Sequence, residues 1–199
     1  MKRTGCVLGV CGLLVIFLSS TWAQSPEHWD RYLDRYRGPY RGQVIDADTK
    51  APLVGAVVVA MWTRDRVYPL HSVNERYAVR ETVTDAGGRF VLDAKDVEDG
   101  APRRVHHPEF LIFLPGYGAF PRYQRTPRGF IGGIFWDSGT TVELPRFETR
   151  QERIENLYDV IPHNFSEDPF KEIPKLTKAF NEERVALDLE PLSTIERRQ

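Results

Sequence analysis

The chain has 199 residues, of which 41% are hydrophobic and 28% are charged, a balance that is ordinary for a globular protein and excludes wholesale disorder. Basic and acidic residues number 27 and 28, so the net charge is −1. That charge excludes a general electrostatic attraction of the whole chain to nucleic acid or to anionic membranes. We expect one folded domain with accessory segments.

Residues 1–23 have the pattern of a secretory signal peptide. Two basic residues open the chain, an apolar run covers residues 7–18, and Thr21 and Ala23 occupy the small-residue positions of a cleavage site. The apolar run is too short to cross a bilayer comfortably, which favours cleavage over an uncleaved anchor. The sequence therefore predicts export to the periplasm or the extracellular space, with no integral membrane segment after cleavage.

Both cysteines, Cys6 and Cys11, lie within this signal. Val10 precedes Cys11 at a position where a lipoprotein signal needs a small residue, so we predict no lipid anchor. The mature chain would hold no cysteine, which rules out disulfides and thiolate metal sites in it. It would carry 25 basic and 28 acidic residues, a net charge of −3.

Residues 24–38 predict a short N-terminal amphipathic helix. Ser25 is a capping residue and Pro26 suits the first helical position. An apolar stripe follows at helical spacing, made of Trp29, Tyr32, Leu33 and Tyr36. Because so short a helix is marginal alone in water, we expect this stripe to pack on another part of the protein.

Residues 39–147 have the pattern of short β-strands separated by turns. The run at residues 56–62 is apolar on both faces, which is typical of a buried strand. The sequence Asp-Ala-Gly-Gly at residues 85–88 predicts a tight hairpin between the runs on either side of it. Residues 63–78 are polar, and we expect them to leave the sheet as a long irregular excursion.

Residues 148–199 predict a C-terminal helical extension. Thr149 and Glu152 form a capping box, and Ile154, Leu157 and Tyr158 follow at helical spacing. A second helix is predicted over residues 173–187. Its apolar side consists of Leu176, Ala179, Phe180 and Leu187, and we expect these side chains to be buried.

Two motifs in residues 39–147 resemble the carboxypeptidase regulatory-like domain family. They read GQVIDADTKAPLVGAVVVA and ETVTDAGGRFVLDA, and a later LPGY is also similar. The matching positions are Gly42, Val44, Asp46, Pro52, Leu53, Gly55, Ala56 and Val58, then Thr84, Asp85, Gly88 and Phe90. The resemblance implies a mainly β fold, a seven-stranded Greek-key β-sandwich of the transthyretin-like, Ig-like type, with short flanking helices. It also implies a module that is not catalytic.

A dioxygenase-like metal site is the main catalytic alternative. The segment HPEFLIFLPGY is similar in outline to the iron-binding strand of intradiol dioxygenases, but Phe110 and Ile112 stand where that pattern needs histidines. Such an enzyme would need tyrosine together with some of four histidines, His71, His106, His107 and His163. His106 and His107 are adjacent, so in a strand they would point to opposite faces. We therefore predict no catalytic residue, no metal and no cofactor.

Acidic residues in the predicted turns raise the question of a calcium site. They are Asp46, Asp48, Asp85 and Asp93. Carboxylates suit calcium, but aspartate in a tight turn also accepts hydrogen bonds from nearby backbone amides without any metal. We favour the second interpretation.

Residues 117–136 form the candidate ligand-binding stretch, which combines aromatic residues and arginines with no acidic residue. The candidates are Tyr117, Arg122, Tyr123, Arg125, Arg128, Phe130 and Trp136. Aromatic faces stack on sugars or other rings, and guanidinium groups bind anions. The alternative is a structural crossover whose aromatic side chains cover one end of the sandwich.

Together these features favour an exported, non-catalytic binding or structural module of the cell envelope or the extracellular space. The expected partner is an envelope or extracellular protein or a glycan, and not nucleic acid. A subunit of a larger exported assembly that docks through its helices is the alternative.

Overall fold

The computed structural model describes residues 38–99, 105–125, 139–160 and 172–192. The predicted signal peptide and N-terminal helix lie outside these ranges. Within them, helix α1 spans Lys95–Glu98, α2 spans Arg150–Val160 and α3 spans Pro174–Ala186. None of these described helices is long and apolar enough to cross a membrane.

The described residues form two three-stranded sheets. One contains β1 (Tyr40–Asp46), β4 (Arg89–Leu92) and β6 (Thr140–Leu144), and the other contains β2 (Val57–Val67), β3 (Ser72–Val83) and β5 (Glu109–Phe113). β1 lies between β4, to which it is antiparallel, and β6, to which it is parallel. β2 lies between β3 and β5 and is antiparallel to both. The protein is therefore mainly β, as predicted.

A first apolar core joins the two sheets. One sheet contributes Tyr40, Val44, Phe90, Leu92, Val142 and Leu144, and the other contributes Val58, Ala60, Trp62, Phe110 and Ile112. These are alternate positions along each strand, because successive side chains of a strand point to opposite faces. The Tyr40 and Phe110 rings meet edge to face with their centroids 5.0 Å apart.

A second apolar core lies on the other face of the β3-β2-β5 sheet, where α2 and α3 pack. Val57, Val59, Leu111 and Phe113 of the sheet meet Leu157, Val160, Leu176, Ala179 and Phe180 of the helices. The Phe113 and Phe180 rings are stacked, with centroids 4.5 Å apart. The apolar side predicted for the last helix is thus buried. β2 contains the run predicted to be apolar on both faces. One of its faces packs against the other sheet, and the opposite face packs against α2 and α3.

The prediction that residues 63–78 leave the sheet as an irregular excursion is wrong. β2 continues to Val67 and β3 starts at Ser72, and the two strands stay paired up to the Val67–Ser72 pair. Strand periodicity shows in a sequence when one face is buried. Residues 66–74 are exposed on both faces, so their polar composition concealed a regular antiparallel ribbon.

The hairpin predicted around residues 85–88 is also wrong, although the turn itself is present. The Asp85 side chain accepts hydrogen bonds from the amides of Gly87 and Arg89 at 2.8 and 2.9 Å, as a tight turn requires. β3 and β4, however, belong to different sheets. The turn therefore carries the chain from one sheet to the other, because packing in the first core decides which strands pair.

Candidate functional site

The described part of the predicted ligand-binding stretch, residues 117–125, lies between the turn after β1 and helix α2. The Tyr117 hydroxyl donates a hydrogen bond to Asp46 Oδ2 at 3.1 Å. The Tyr123 hydroxyl donates to Asp159 Oδ2. Three predicted site residues, Arg128, Phe130 and Trp136, lie outside the described residues.

The two described arginines of this stretch are neutralised by acids from elsewhere in the chain. Arg125 lies 3.1 Å from Asp48 Oδ1, and Arg122 lies 3.1 Å from Asp159 Oδ1. The absence of acidic residues within the stretch was therefore misleading, because its counter-charges are distant in sequence. Both arginines are exposed and their pairs are screened by water, so each contributes little to stability.

The two tyrosine hydroxyls of this stretch are held in internal hydrogen bonds. Burial, together with the accepting Asp46 carboxylate, raises the pKa of Tyr117. Burial and Asp159 raise the pKa of Tyr123 in the same way. Both hydroxyls stay protonated at neutral pH and donate to carboxylates of the same protein. Neither is available as a base or as a metal ligand while these bonds persist.

Three of the four acidic residues of the turns accept backbone hydrogen bonds, as predicted, whereas Asp48 pairs with Arg125. The Asp46 carboxylate accepts from the amides of Thr49 and Asp48 at 2.8 and 2.9 Å. These donors, the Thr49 amide above all, hold the pKa of Asp46 below its ordinary value. Asp93 accepts in the same manner from the Lys95 amide at 3.0 Å. The capping interpretation is confirmed for Asp46, Asp85 and Asp93.

The three described histidines considered for a metal site do not gather with carboxylates into a ligand set, and His163 lies outside the described residues. His106 Nε2 lies 3.1 Å from Asp65 Oδ1, and His71 stacks on Tyr68. His107 is half-buried, and burial followed by the neighbouring His106 lowers its pKa. Over the described ranges, no group of three or more His, Cys, Asp or Glu side chains is placed to hold a metal ion.

An open cavity of about 520 Å³ lies beside α1 and is lined by Asp93, Lys95, Asp96 and Asp99. Two of its three carboxylates have other partners. Asp93 accepts from a backbone amide, and Asp96 pairs with Arg80. These two acidic residues are thus engaged in structural contacts.

Sequence reasoning missed the most exposed apolar feature of the described structure, the end of the β2–β3 ribbon. β5 pairs with β2 as far as Met61, and an isolated bridge continues this pairing from Val105 to Arg64. The ribbon therefore continues beyond the sheet only from Asp65. We call residues 64–75 the β2–β3 finger. Its apolar side chains are exposed by 96% at Leu70, 55% at Val67, 42% at Val73 and 39% at Tyr68. The run Val-Tyr-Pro-Leu at residues 67–70 within a polar segment was the available signal.

Comparisons with known proteins yield no relative: no family model matches the chain, and no curated protein or solved structure matches it. The resemblance to carboxypeptidase regulatory-like domains thus depends on the quoted motifs alone.

Proposed function

We propose that the chain is an exported, non-catalytic module that attaches to another component of the cell envelope or the extracellular space. The observation that carries this proposal is the β2–β3 finger. Exposed apolar side chains on a projecting element form a hydrophobic surface that the domain itself does not cover, which is typical of an attachment site. Leu70 contributes nothing to the core in this position, so its exposure favours a contact outside the domain.

We also propose the seven-stranded Greek-key, transthyretin-like sandwich that the motifs imply. Contacts between the two motifs support it. The Thr84 hydroxyl donates to the Leu53 carbonyl at 2.6 Å and accepts from the Ala56 amide at 2.8 Å. Gly55 and Gly88 have φ of +77° and +69°, a conformation that favours glycine.

The absence of catalysis is supported by the bonding of the polar side chains. In the described part of the predicted site, both tyrosine hydroxyls and both arginines are engaged with carboxylates of the same chain. A general base or a nucleophile needs a partner that changes its reactivity and a place for a substrate. The carboxylates here instead hold turns and neighbouring segments together.

The alternative of an assembly subunit that docks through its helices is less well supported. The apolar side of α3 and the α2 residues Leu157 and Val160 are already buried on the sheet, whereas Tyr158 is exposed and the predicted N-terminal helix lies outside the described residues. The buried Glu183 carboxylate further fixes α2 and α3. It accepts from Arg153 of α2 at 2.7 and 2.8 Å and from the Gly116 amide at 3.1 Å. Detaching this pair to contact another chain would expose both an apolar core and a buried charge.

The test is retention of the purified mature chain on an envelope fraction from the source cells. We expect Leu70→Ser to reduce retention strongly, and the double variant Arg122→Ser, Arg125→Ser to retain the wild-type level. Unchanged unfolding curves for all variants would show that folding is intact. Equal retention of wild type and Leu70→Ser would exclude the finger as the attachment site. Turnover of a substrate or a stoichiometric bound metal would exclude a non-catalytic module.

A further inference from the structure

β3 forms one edge of the β3-β2-β5 sheet, and no described strand pairs with its outer side. Thr84, which directly follows β3, donates its amide to the Ala56 carbonyl at 3.0 Å. Backbone groups of an antiparallel strand alternate between its two sides, and the register is regular over this part of β3. Residues 80 and 82 therefore bond to β2, whereas Val79 and Glu81 direct their amides and carbonyls outwards. An edge of this kind can accept another strand.

The outward carbonyls of Val79 and Glu81 both accept hydrogen bonds from basic side chains. Arg80 Nη1 donates to the Val79 carbonyl at 2.8 Å. Lys175 Nζ, from the first turn of α3, donates to the Glu81 carbonyl at 3.1 Å. The amides of an added strand would need these same two acceptors. The edge is therefore already occupied at two successive outward positions.

The two basic side chains cover the edge from opposite faces of the sheet. Glu81 lies opposite Val59, whose side chain belongs to the second core, so Glu81 is on the face that α3 covers. Arg80 is the preceding residue and points to the other face, where its guanidinium pairs with Asp96 of α1. Lys175 thus closes the edge from the side of α3, and Arg80 closes it from the side of α1.

The start of α3 is fixed against β3 by the side chain of the residue that it covers. The Glu81 carboxylate accepts the amides of Lys175 and Leu176 at 2.8 and 3.0 Å. Amides in the first turn of a helix have no partner within the helix, and negative charge is favourable there. Arg76 of β3 also lies 2.7 Å from Glu172, just before α3. These contacts hold Lys175 at the edge.

We infer that Arg80 and Lys175 block the edge of β3 and so prevent the domain from pairing with a second copy of itself through this strand. β3 has 12 residues and contains neither proline nor glycine, so its sequence does not itself disfavour pairing. Two such strands related by a twofold axis pair antiparallel in a symmetric dimer. Basic side chains and a covering helix are devices by which proteins close sheet edges. The inference is independent of what the β2–β3 finger contacts.

The test removes both basic side chains in the double variant Arg80→Ala, Lys175→Ala and measures self-association by sedimentation velocity. Because the loss of two positive charges can itself alter association, the matched control is Arg122→Ala, Lys178→Ala, which removes the same charge elsewhere. Arg122 and Lys178 are exposed, and each pairs with one carboxylate, as Arg80 does with Asp96.

We expect the Arg80→Ala, Lys175→Ala variant to self-associate at least about tenfold more tightly than the wild type, and the control to match the wild type. Amide hydrogen exchange locates the contact. The amides at positions 79 and 81 should become protected as the protein concentration rises, because they gain carbonyl partners in the second copy. The amides at positions 80 and 82 already bond to β2 and serve as the reference. Unfolding curves should stay close to that of the wild type, because both replaced side chains are exposed.

Three results would overturn the inference. The first is equal self-association of the double variant and the wild type, and the second is association without protection at positions 79 and 81. The third is association of the control to the same extent, which would assign the effect to charge alone. If the double variant unfolds too easily, the single variant Lys175→Ala replaces it, since it keeps Arg80 paired with Asp96. Unchanged self-association of that folded variant would equally count against a blocked edge.

Discussion

The packing of α3 on the β3-β2-β5 sheet predicts a large loss of stability when Phe180 is replaced by alanine. The Phe180 side chain is 1% exposed and stacks on Phe113 with ring centroids 4.5 Å apart. α3 is a short helix of 13 residues, and such helices owe most of their stability to tertiary packing. Removing the ring therefore weakens the contact that holds the helix as well as the core below it.

The magnitude follows from burial. Replacing a fully buried phenylalanine by alanine costs about 3–5 kcal/mol, because apolar contact is lost and a cavity remains. Of this, the aromatic stack accounts for about 0.5–1.5 kcal/mol. Domains of this size are stable by about 5–15 kcal/mol. Phe180→Ala should thus remain folded, whereas addition of Leu176→Ala, at a fully buried position one turn away, brings the protein close to unfolding.

Urea unfolding followed by circular dichroism measures the effect. The matched control is Val185→Ala on the same helix, where the side chain is 59% exposed and the expected change is within about 0.5 kcal/mol. The two neighbouring sites Leu176 and Phe180 share a core, so their losses need not add. If Phe180→Ala and Val185→Ala unfold at the same urea concentration, α3 does not pack on the sheet and the reasoning is refuted.

Three further predictions concern a turn, a titration and processing. Gly88→Ala should cost about 2–4 kcal/mol in unfolding free energy, because a Cβ there would lie 2.4 Å from the Val44 carbonyl oxygen. The matched variant is Gly55→Ala, whose Cβ would meet nothing within 4 Å. It should cost only the backbone strain of an alanine at positive φ. Equal losses for both would contradict the close approach. The pKa of Asp46 is lowered by backbone amides, so its ionised form stabilises the fold at neutral pH, and this contribution is lost as the pH falls through the lowered folded-state pKa. Asp46→Asn should therefore have a lower free energy of unfolding than the wild type near neutral pH, and this difference should disappear in acid. A difference that does not change with pH would exclude this linkage. Intact-mass measurement of the exported protein should give a chain cleaved after Ala23, and a species that keeps the apolar run would contradict the signal-peptide prediction.

Local patterns in the sequence were sufficient for the elements whose signals are local. The capping box at Thr149 and Glu152 is present, with the Thr149 hydroxyl and the Glu152 carboxylate hydrogen-bonded to each other, and α2 begins at Arg150. The apolar side of the last helix predicted its burial, because a 3.6-residue period defines one face whatever that face contacts. The turn chemistry of Asp46 and Asp85 was equally readable, since each side chain bonds to amides within four residues.

The pairing of distant segments was decided only by the tertiary structure. The turn at residues 85–88 was readable, but whether β4 joins β3 or β1 depends on which apolar faces fill the first core. The counter-charges of Arg122 and Arg125 come from Asp159 and Asp48, a relation that no local count of charges contains. The β2–β3 finger was hidden for the opposite reason. A ribbon with both faces in water has no burial to impose a period on its sequence, so its regular structure follows from cross-strand hydrogen bonds that are independent of side-chain pattern.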